Sequence, residues 1–159
     1  MSAEELILLR HAHAERDAAS GRDLDRPLST LGHAQAEAGA AWLSERQIRP
    51  TQVLCSPALR TRQTLAALRM RLNELPIREE SGIYEATPGE LITLIDQQRG
   101  AGTLLVVGHN PGLETLVTLL ADGRSTDGRG MPTGAIARLR LRPGPLEPGC
   151  AELIEFWWP

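Results

Sequence analysis

Lysine is absent from this 159-residue chain, cysteine occurs twice, and aromatic residues make up only 3% of it. Each scarcity removes a class of protein. Without lysine, the positive charge rests on 17 arginines spread along the chain against 20 acidic residues, for a net charge of −3. There is no basic face with aromatics on it, so nucleic acid is not an expected partner. Two cysteines, Cys55 and Cys150, are too few for a disulfide scaffold, and they read as small core residues in a reducing compartment. No long hydrophobic run is present: after the acidic start Met1-Ser2-Ala3-Glu4-Glu5 the apolar stretch stops at four residues, which fits neither a signal peptide nor a membrane span. The expectation is a cytoplasmic protein without membrane association. A chain of this length buries roughly 70% of its unfolded surface as one domain, here 1–159, and shows no internal repeat.

What is there alternates. Apolar runs of about four residues are separated by longer segments of helical period, the pattern of an α/β protein with a mostly parallel sheet and helices on both faces, a three-layer sandwich. Strands are expected at 6–9, 52–55 and 103–107. Asp25-Arg26-Pro27-Leu28 reads as a turn, and Ser29 as the cap of a helix to about Glu45 with Ala34, Ala38, Ala41 and Trp42 inward. Ser56-Pro57 reads as the start of a helix to about Leu72, with Leu65, Leu68 and Leu72 as its apolar stripe. Thr87-Pro88-Gly89-Glu90 matches a capping box opening a helix to about Gln98. A further short helix is expected over Gly112 to Leu120, its free backbone amides facing the crevice where anions are favoured. Asp122 to Gly130 reads as a mobile polar loop. From Ala135 to Leu141, Ala137, Leu139 and Leu141 alternate with Arg138, Arg140 and Arg142, which predicts an antiparallel edge strand with one wet face. Leu153 to Trp158 closes the chain as a last strand, with Phe156, Trp157 and Trp158 divided between core and edge.

Two of these strands run directly into histidines, Leu9-Arg10-His11 and Val107-Gly108-His109-Asn110. Open α/β sheets bind ligands at the carboxyl ends of their strands, and Arg10 beside His11 points to an anion. An imidazole attacks a phosphoryl group when one nitrogen is unprotonated and the other is held by an acceptor. Arg10 and Arg60 would keep His11 neutral by like-charge repulsion and clamp the phosphoryl oxygens, while His109 hydrogen-bonds the transferring group from across the pocket. His13, two residues from His11, raises a three-histidine metal site with His109, which the arginines aimed at the same point oppose. His33 reads as a solvated helix residue and Cys55 as core.

Arg10-His11-Ala12, Ser56-Pro57-Ala58-Leu59-Arg60-Thr61-Arg62-Gln63-Thr64 and Gly108-His109-Asn110-Pro111 together resemble the histidine phosphatase superfamily, with its phosphoglycerate mutase-like fold. Arg26-Pro27-Leu28-Ser29 with Gly32, and Thr133-Gly134-Ala135-Ile136-Ala137, are similar to the SixA-type phosphohistidine phosphatase branch. The resemblance implies that His11 is the phosphorylated nucleophile, that Arg10, Arg26 and Arg60 bind the phosphoryl group, and that His109 completes the pocket with Asn110 among the substrate-binding residues. Ala12 stands where the wider superfamily has glycine. Glu85 occupies the position at which mutase-like members carry an acid for the leaving oxygen. No metal or other cofactor is implied. The expected reaction is phosphoryl transfer to His11 and then hydrolysis. Its substrate would be a phosphorylated protein of signal transduction, such as a histidine phosphotransfer domain, or a small phosphate ester. The rival reading is a catalytically silent phosphoprotein-binding module. Oligomeric state is not legible.

Overall fold

The apolar runs pair side by side, as strands flanked by apolar residues on both faces must. A computed structural model describes residues 4–125 and 130–159. Its elements are β1 (Glu4–Arg10), α1 (Thr30–Glu45), β2 (Gln52–Cys55), α2 (Leu59–Arg71), β3 (Ile77–Glu79), α3 (Pro88–Asp96), β4 (Thr103–Gly108), α4 (Gly112–Asp122), β5 (Ile136–Leu141) and β6 (Ala151–Trp157), with short 3₁₀ turns at Asp23–Asp25 and Ser81–Ile83. The strands form one sheet in the order β3-β2-β4-β1-β5-β6. The first four are mutually parallel, and β5 runs antiparallel to both of its neighbours.

Successive residues of β1 face opposite layers. Ile7 and Leu9 pack with Ala40, Leu43, Leu65 and Leu68 of α1 and α2. Leu6 and Leu8 pack with Leu91, Ile95, Leu113 and Leu116 of α3 and α4. The result is the three-layer α/β sandwich that the alternation predicts. Among the described residues no helix is long and apolar enough to cross a membrane.

Two caps form as expected. The Ser29 hydroxyl accepts from the Gly32 amide and the Thr87 hydroxyl from the Glu90 amide, each worth about 1 kcal/mol. Other expectations need correction. On α1, Ala34 is exposed and Ala38 and Ala41 are half-buried, whereas Gly32, Ala36, Gly39, Ala40, Trp42 and Leu43 form the inner face. In a helix this rich in alanine and glycine the large inner side chains, Trp42 and Leu43, come only near its end, and over the first turns packing chooses the smallest surface for close approach. Helix α2 begins at Leu59, with Ala58 in the cap position and no side-chain cap; the Ser56 hydroxyl accepts from the Ala58 amide at 3.4 Å, before the helix. Strand β5 is not an edge: β6 covers it, and its polar side is satisfied by Arg138 to Glu5 and Glu155 and by Arg140 to Glu152.

The closing aromatics divide as expected. Trp157 stacks on Trp42 at 5.6 Å, Phe156 packs on the opposite layer, and Trp158 stays 56% exposed. His33 is exposed, and Cys55 and Cys150 are buried free thiols. Short β3 was not anticipated. The loop expected over Asp122–Gly130 lies, at residues 126–129, outside the described residues.

Candidate active site

The sheet register creates the site. In the parallel pair β1 and β4, Arg10 stands opposite Gly108, so both chains leave the sheet at the same level and the next residue of each is a histidine. The rings of His11 and His109 end 5.3 Å apart, centroid to centroid. The third contributor is the end of β2, where Ser56 donates its amide to Val107 O at 3.1 Å and leads into Arg60 on the first turn of α2.

The peptide around His11 is held from several sides. Its own amide donates to Gly108 O and its carbonyl accepts from the Gly134 amide, each at 3.0 Å, while the Arg10 amide donates to Ala135 O. The Ala12 amide donates to the Thr64 hydroxyl at 3.0 Å, and that hydroxyl donates to Arg60 O. Thus Thr64 and Gly134, both within the motifs noted above, hold the nucleophile's backbone. Gly32 is another such residue: a Cβ there would sit 1.9 Å from His13 O, so glycine alone lets the start of α1 lie against this strand extension.

Within that frame the His11 ring has one orientation. Its Nδ1 lies 2.7 Å from Ala12 O, and a carbonyl only accepts, so Nδ1 carries the proton and Nε2 keeps the lone pair. Burial pushes the His11 pKa down to about 4 against the raising effect of the Ala12 bond, and the charges of Arg60, Arg10 and Arg26 lower it further. The arginines act in the direction expected from sequence, but burial is the larger cause. His109 is pushed to about 3, by burial first and then by His11 and Arg60. Both imidazoles are neutral at pH 7.

Around them stand donors without partners. The Nε atoms of Arg10 and Arg60 and Nδ1 of His109 are buried and form no hydrogen bond. Arg10 is anchored by Nη1 on Met131 O at 2.8 Å. His109 is anchored by Nε2 on the Ser56 hydroxyl at 2.7 Å. When Ser56 donates to Nε2, the His109 proton sits on Nδ1 and is available to an oxyanion.

A cavity of about 400 Å³ opens beside His109 and Arg60, lined also by Asp23, Tyr84, Glu85, Ala86, Thr87, Pro88, Asn110, Pro111, Gly112 and Thr115. Glu85 is therefore at the cavity wall, with a left-handed backbone (φ 57°). Asn110 also reaches it, but its amide donates to Glu114 and Met131 O and its carbonyl accepts from the Glu114 amide. Its main work is to brace the start of α4. The open amide cradle expected at that helix start is not found: the Leu113 amide bonds His109 O and the Glu114 amide bonds Asn110 Oδ1. Arg26 reaches the site through Asp23, donating from Nε at 3.0 Å, and is tied to Glu15 O by Nη1. His13 turns away to the Ser29 hydroxyl, and among the described residues no three His, Cys, Asp or Glu side chains are arranged to hold a metal. Cys55 is buried, its thiol pushed up to about 12 by desolvation. Sequence reasoning missed Asp23, Tyr84 and the pairing of Ser56 with His109; only the place of Ser56 in the helix-start motif signalled any of them.

The sheet, the paired histidines and the arginines around them define a phosphoryl-transfer pocket, and residues 6–98 match the histidine phosphatase superfamily (branch 1). The chain belongs to that superfamily and is a phosphatase. Within it the chain falls in the SixA-type branch. It is 34% identical over 143 residues to phosphohistidine phosphatase SixA of Escherichia coli K12, a match covering 86% of this chain and 85% of that protein. A crystal structure from Agrobacterium tumefaciens, assigned as a phosphohistidine phosphatase SixA, superposes with a TM-score of 0.85 at 31% identity over 100% of both chains. The protein histidine phosphatase SixA complexed with tungstate gives a TM-score of 0.83 at 27% identity, covering 97% of this chain and 96% of that one.

Proposed function

We propose that this phosphatase removes the phosphoryl group from phosphohistidine on a protein, through a phosphorylated His11. The observation that carries the reading is the His11 ring: Nδ1 is committed to Ala12 O, which leaves Nε2 as the nucleophile beside three unpartnered buried N–H groups. A binding module has no need of an unprotonated imidazole held in this way.

In the first step Nε2 of His11 bonds to phosphorus in line as the P–N bond to the leaving ring breaks; that ring, protonated on its other nitrogen, takes the electron pair and departs as neutral imidazole, while His11 becomes the phosphorylated imidazolium. Arg10, Arg60 and His109 donate to the equatorial oxygens, whose charge they stabilise most where it is most dispersed. Water then attacks phosphorus, the bond to His11 breaks with its pair returning to Nε2, and phosphate leaves. The arginines supply the charge that a metal supplies elsewhere, so turnover continues in chelator. The tungstate complex of the related SixA supports an oxyanion site in this fold.

A second reading, small phosphate esters, is favoured by one observation: Glu85 lines the cavity. An alkoxide leaving group needs a proton donor, worth 10²- to 10⁴-fold, whereas a phosphorylated imidazole carries a labile bond and needs less help. The test compares a phosphorylated histidine phosphotransfer domain with an alkyl phosphate, in chelator, using wild type and Glu85→Gln. The proposal expects faster turnover of the protein substrate and a loss confined to the ester in the variant. Preference for the ester by wild type overturns it.

A further inference from the structure

We propose, building on the reading of the pocket just given, that Asp23 and Tyr84 form a clasp across Arg60 that selects leaving groups, favouring neutral or cationic ones over those with a second negative charge. Asp23 ties together three segments distant in sequence. Its Oδ2 accepts from Arg60 Nη2 at 3.0 Å and from the Tyr84 hydroxyl, its Oδ1 from Arg26 Nε at 3.0 Å, and its main-chain oxygen from Arg60 Nη1 at 2.9 Å. The guanidinium of Arg60 is thus gripped at its outer end, while the buried Nε on its side edge is left for the phosphoryl group. Asp23 is a positioning residue for Arg60.

Its second effect is electrostatic. The phosphoryl group docks at His11, and the leaving group extends into the cavity, where the charged lining is Asp23, Glu85 and Arg60. Arg60 is the cation of that set, and Asp23 already pairs with it. The Asp23 side chain keeps 52% of its surface exposed, so its charge faces what enters. The Tyr84 hydrogen bond, ahead of Arg60, holds its pKa at about 2, and it stays ionised at neutral pH. A carboxylate or second phosphate placed there meets the carboxylates of Asp23 and Glu85, while the nearby cations, Arg60 and Arg26, are both already committed to Asp23, which is a repulsive device against the wrong substrate. A neutral ring or an imidazolium meets instead the Tyr84 ring and the apolar wall of Ala86, Pro88 and Pro111. The phosphorylated imidazole of a protein fits that description, and phosphorylated hydroxy acids and bisphosphates do not.

The test uses two non-hydrolysable ligands of matched size, 3-phosphonopropionate and its neutral amide, titrated calorimetrically into wild type and Asp23→Asn. Wild type is expected to bind the amide at least tenfold more tightly, and the variant to narrow that ratio to less than threefold. Equal binding by wild type, or preference for the carboxylate, overturns the clasp, as does an unchanged ratio in the folded variant. The wild-type comparison decides the matter by itself if Asp23→Asn does not fold. Binding of neither phosphonate overturns the phosphate pocket, and the clasp with it.

Discussion

At the scale of single residues, the two histidines differ in what holds them. His11 is tied by Nδ1 to a carbonyl, which fixes its lone pair on Nε2, and His109 by Nε2 to the Ser56 hydroxyl, which leaves a proton on Nδ1 when Ser56 donates. Both are kept neutral, chiefly by burial. Their ring protons, followed by NMR, are therefore expected not to titrate between pH 8 and pH 5.5, with midpoints near 4 and 3. A midpoint near 6.5 for His11 contradicts the burial described here. Arg10, His11, Arg60 and His109 were legible because each follows a strand end or opens a helix, and such positions converge in any parallel sheet. Asp23, Tyr84 and the work of Ser56 were not. Their partners lie 37, 61 and 53 positions away in the chain, and no local pattern encodes which loop a hydroxyl or carboxylate will meet.

At the scale of elements, the site depends on how closely the start of α1 approaches the chain beyond β1. Gly32→Ala puts a Cβ against His13 O, and backbone, unlike a flexible side chain, yields only at a cost. We expect a loss of about 3 kcal/mol in urea unfolding, together with reduced activity because the shift passes to His11. A loss below about 1 kcal/mol shows that the contact relaxes freely. The glycine was legible as part of a motif, but its reason appears only when α1 is seen against residues 11–13. The same holds for helix faces. Leucines marked the inner side of α2 correctly and Trp42 that of α1, whereas the alanines chosen on α1 were the wrong ones, because small residues fit either a packed or a solvated surface. The wet side of β5 suggested an edge, yet β6 pairs along it, and Arg138 and Arg140 meet glutamates of the neighbouring strands. A strand lined with arginines is compatible with an interior place when acids stand opposite.

At the scale of the whole molecule, the mostly parallel sheet, its two helical layers and five of its six strands followed from the spacing of apolar runs, while β3, only three residues long, leaves too short a run to read. The strand order brings β1 beside β4, and with it the catalytic chemistry into the middle of the sheet. That placement has a cost in acid. Folding lowers the proton affinity of both histidines, so from pH 6.5 down to about 4 for His11 and about 3 for His109 the unfolded chain binds protons that the folded site refuses. Stability is flat in this respect above pH 6.5 and falls as pH is lowered through that window, by up to about 1.4 kcal/mol per pH unit for each histidine. Asp23 adds a loss in the same direction between its ordinary 3.8 and about 2. Urea midpoints between pH 7 and pH 5 are expected to fall, and the slope to flatten in the double variant His11→Asn, His109→Asn. A wild-type midpoint that does not change over this range contradicts the linkage.

Turnover through this pocket requires that His11 carry the phosphoryl group. Wild type and His11→Ala are mixed with a ³²P-phosphorylated substrate, quenched in alkali and mapped by peptide. Acid-labile, alkali-stable label is expected on the His11 peptide of wild type and none on the variant, with turnover lost in parallel. Turnover by His11→Ala, or label at any other residue, would contradict it.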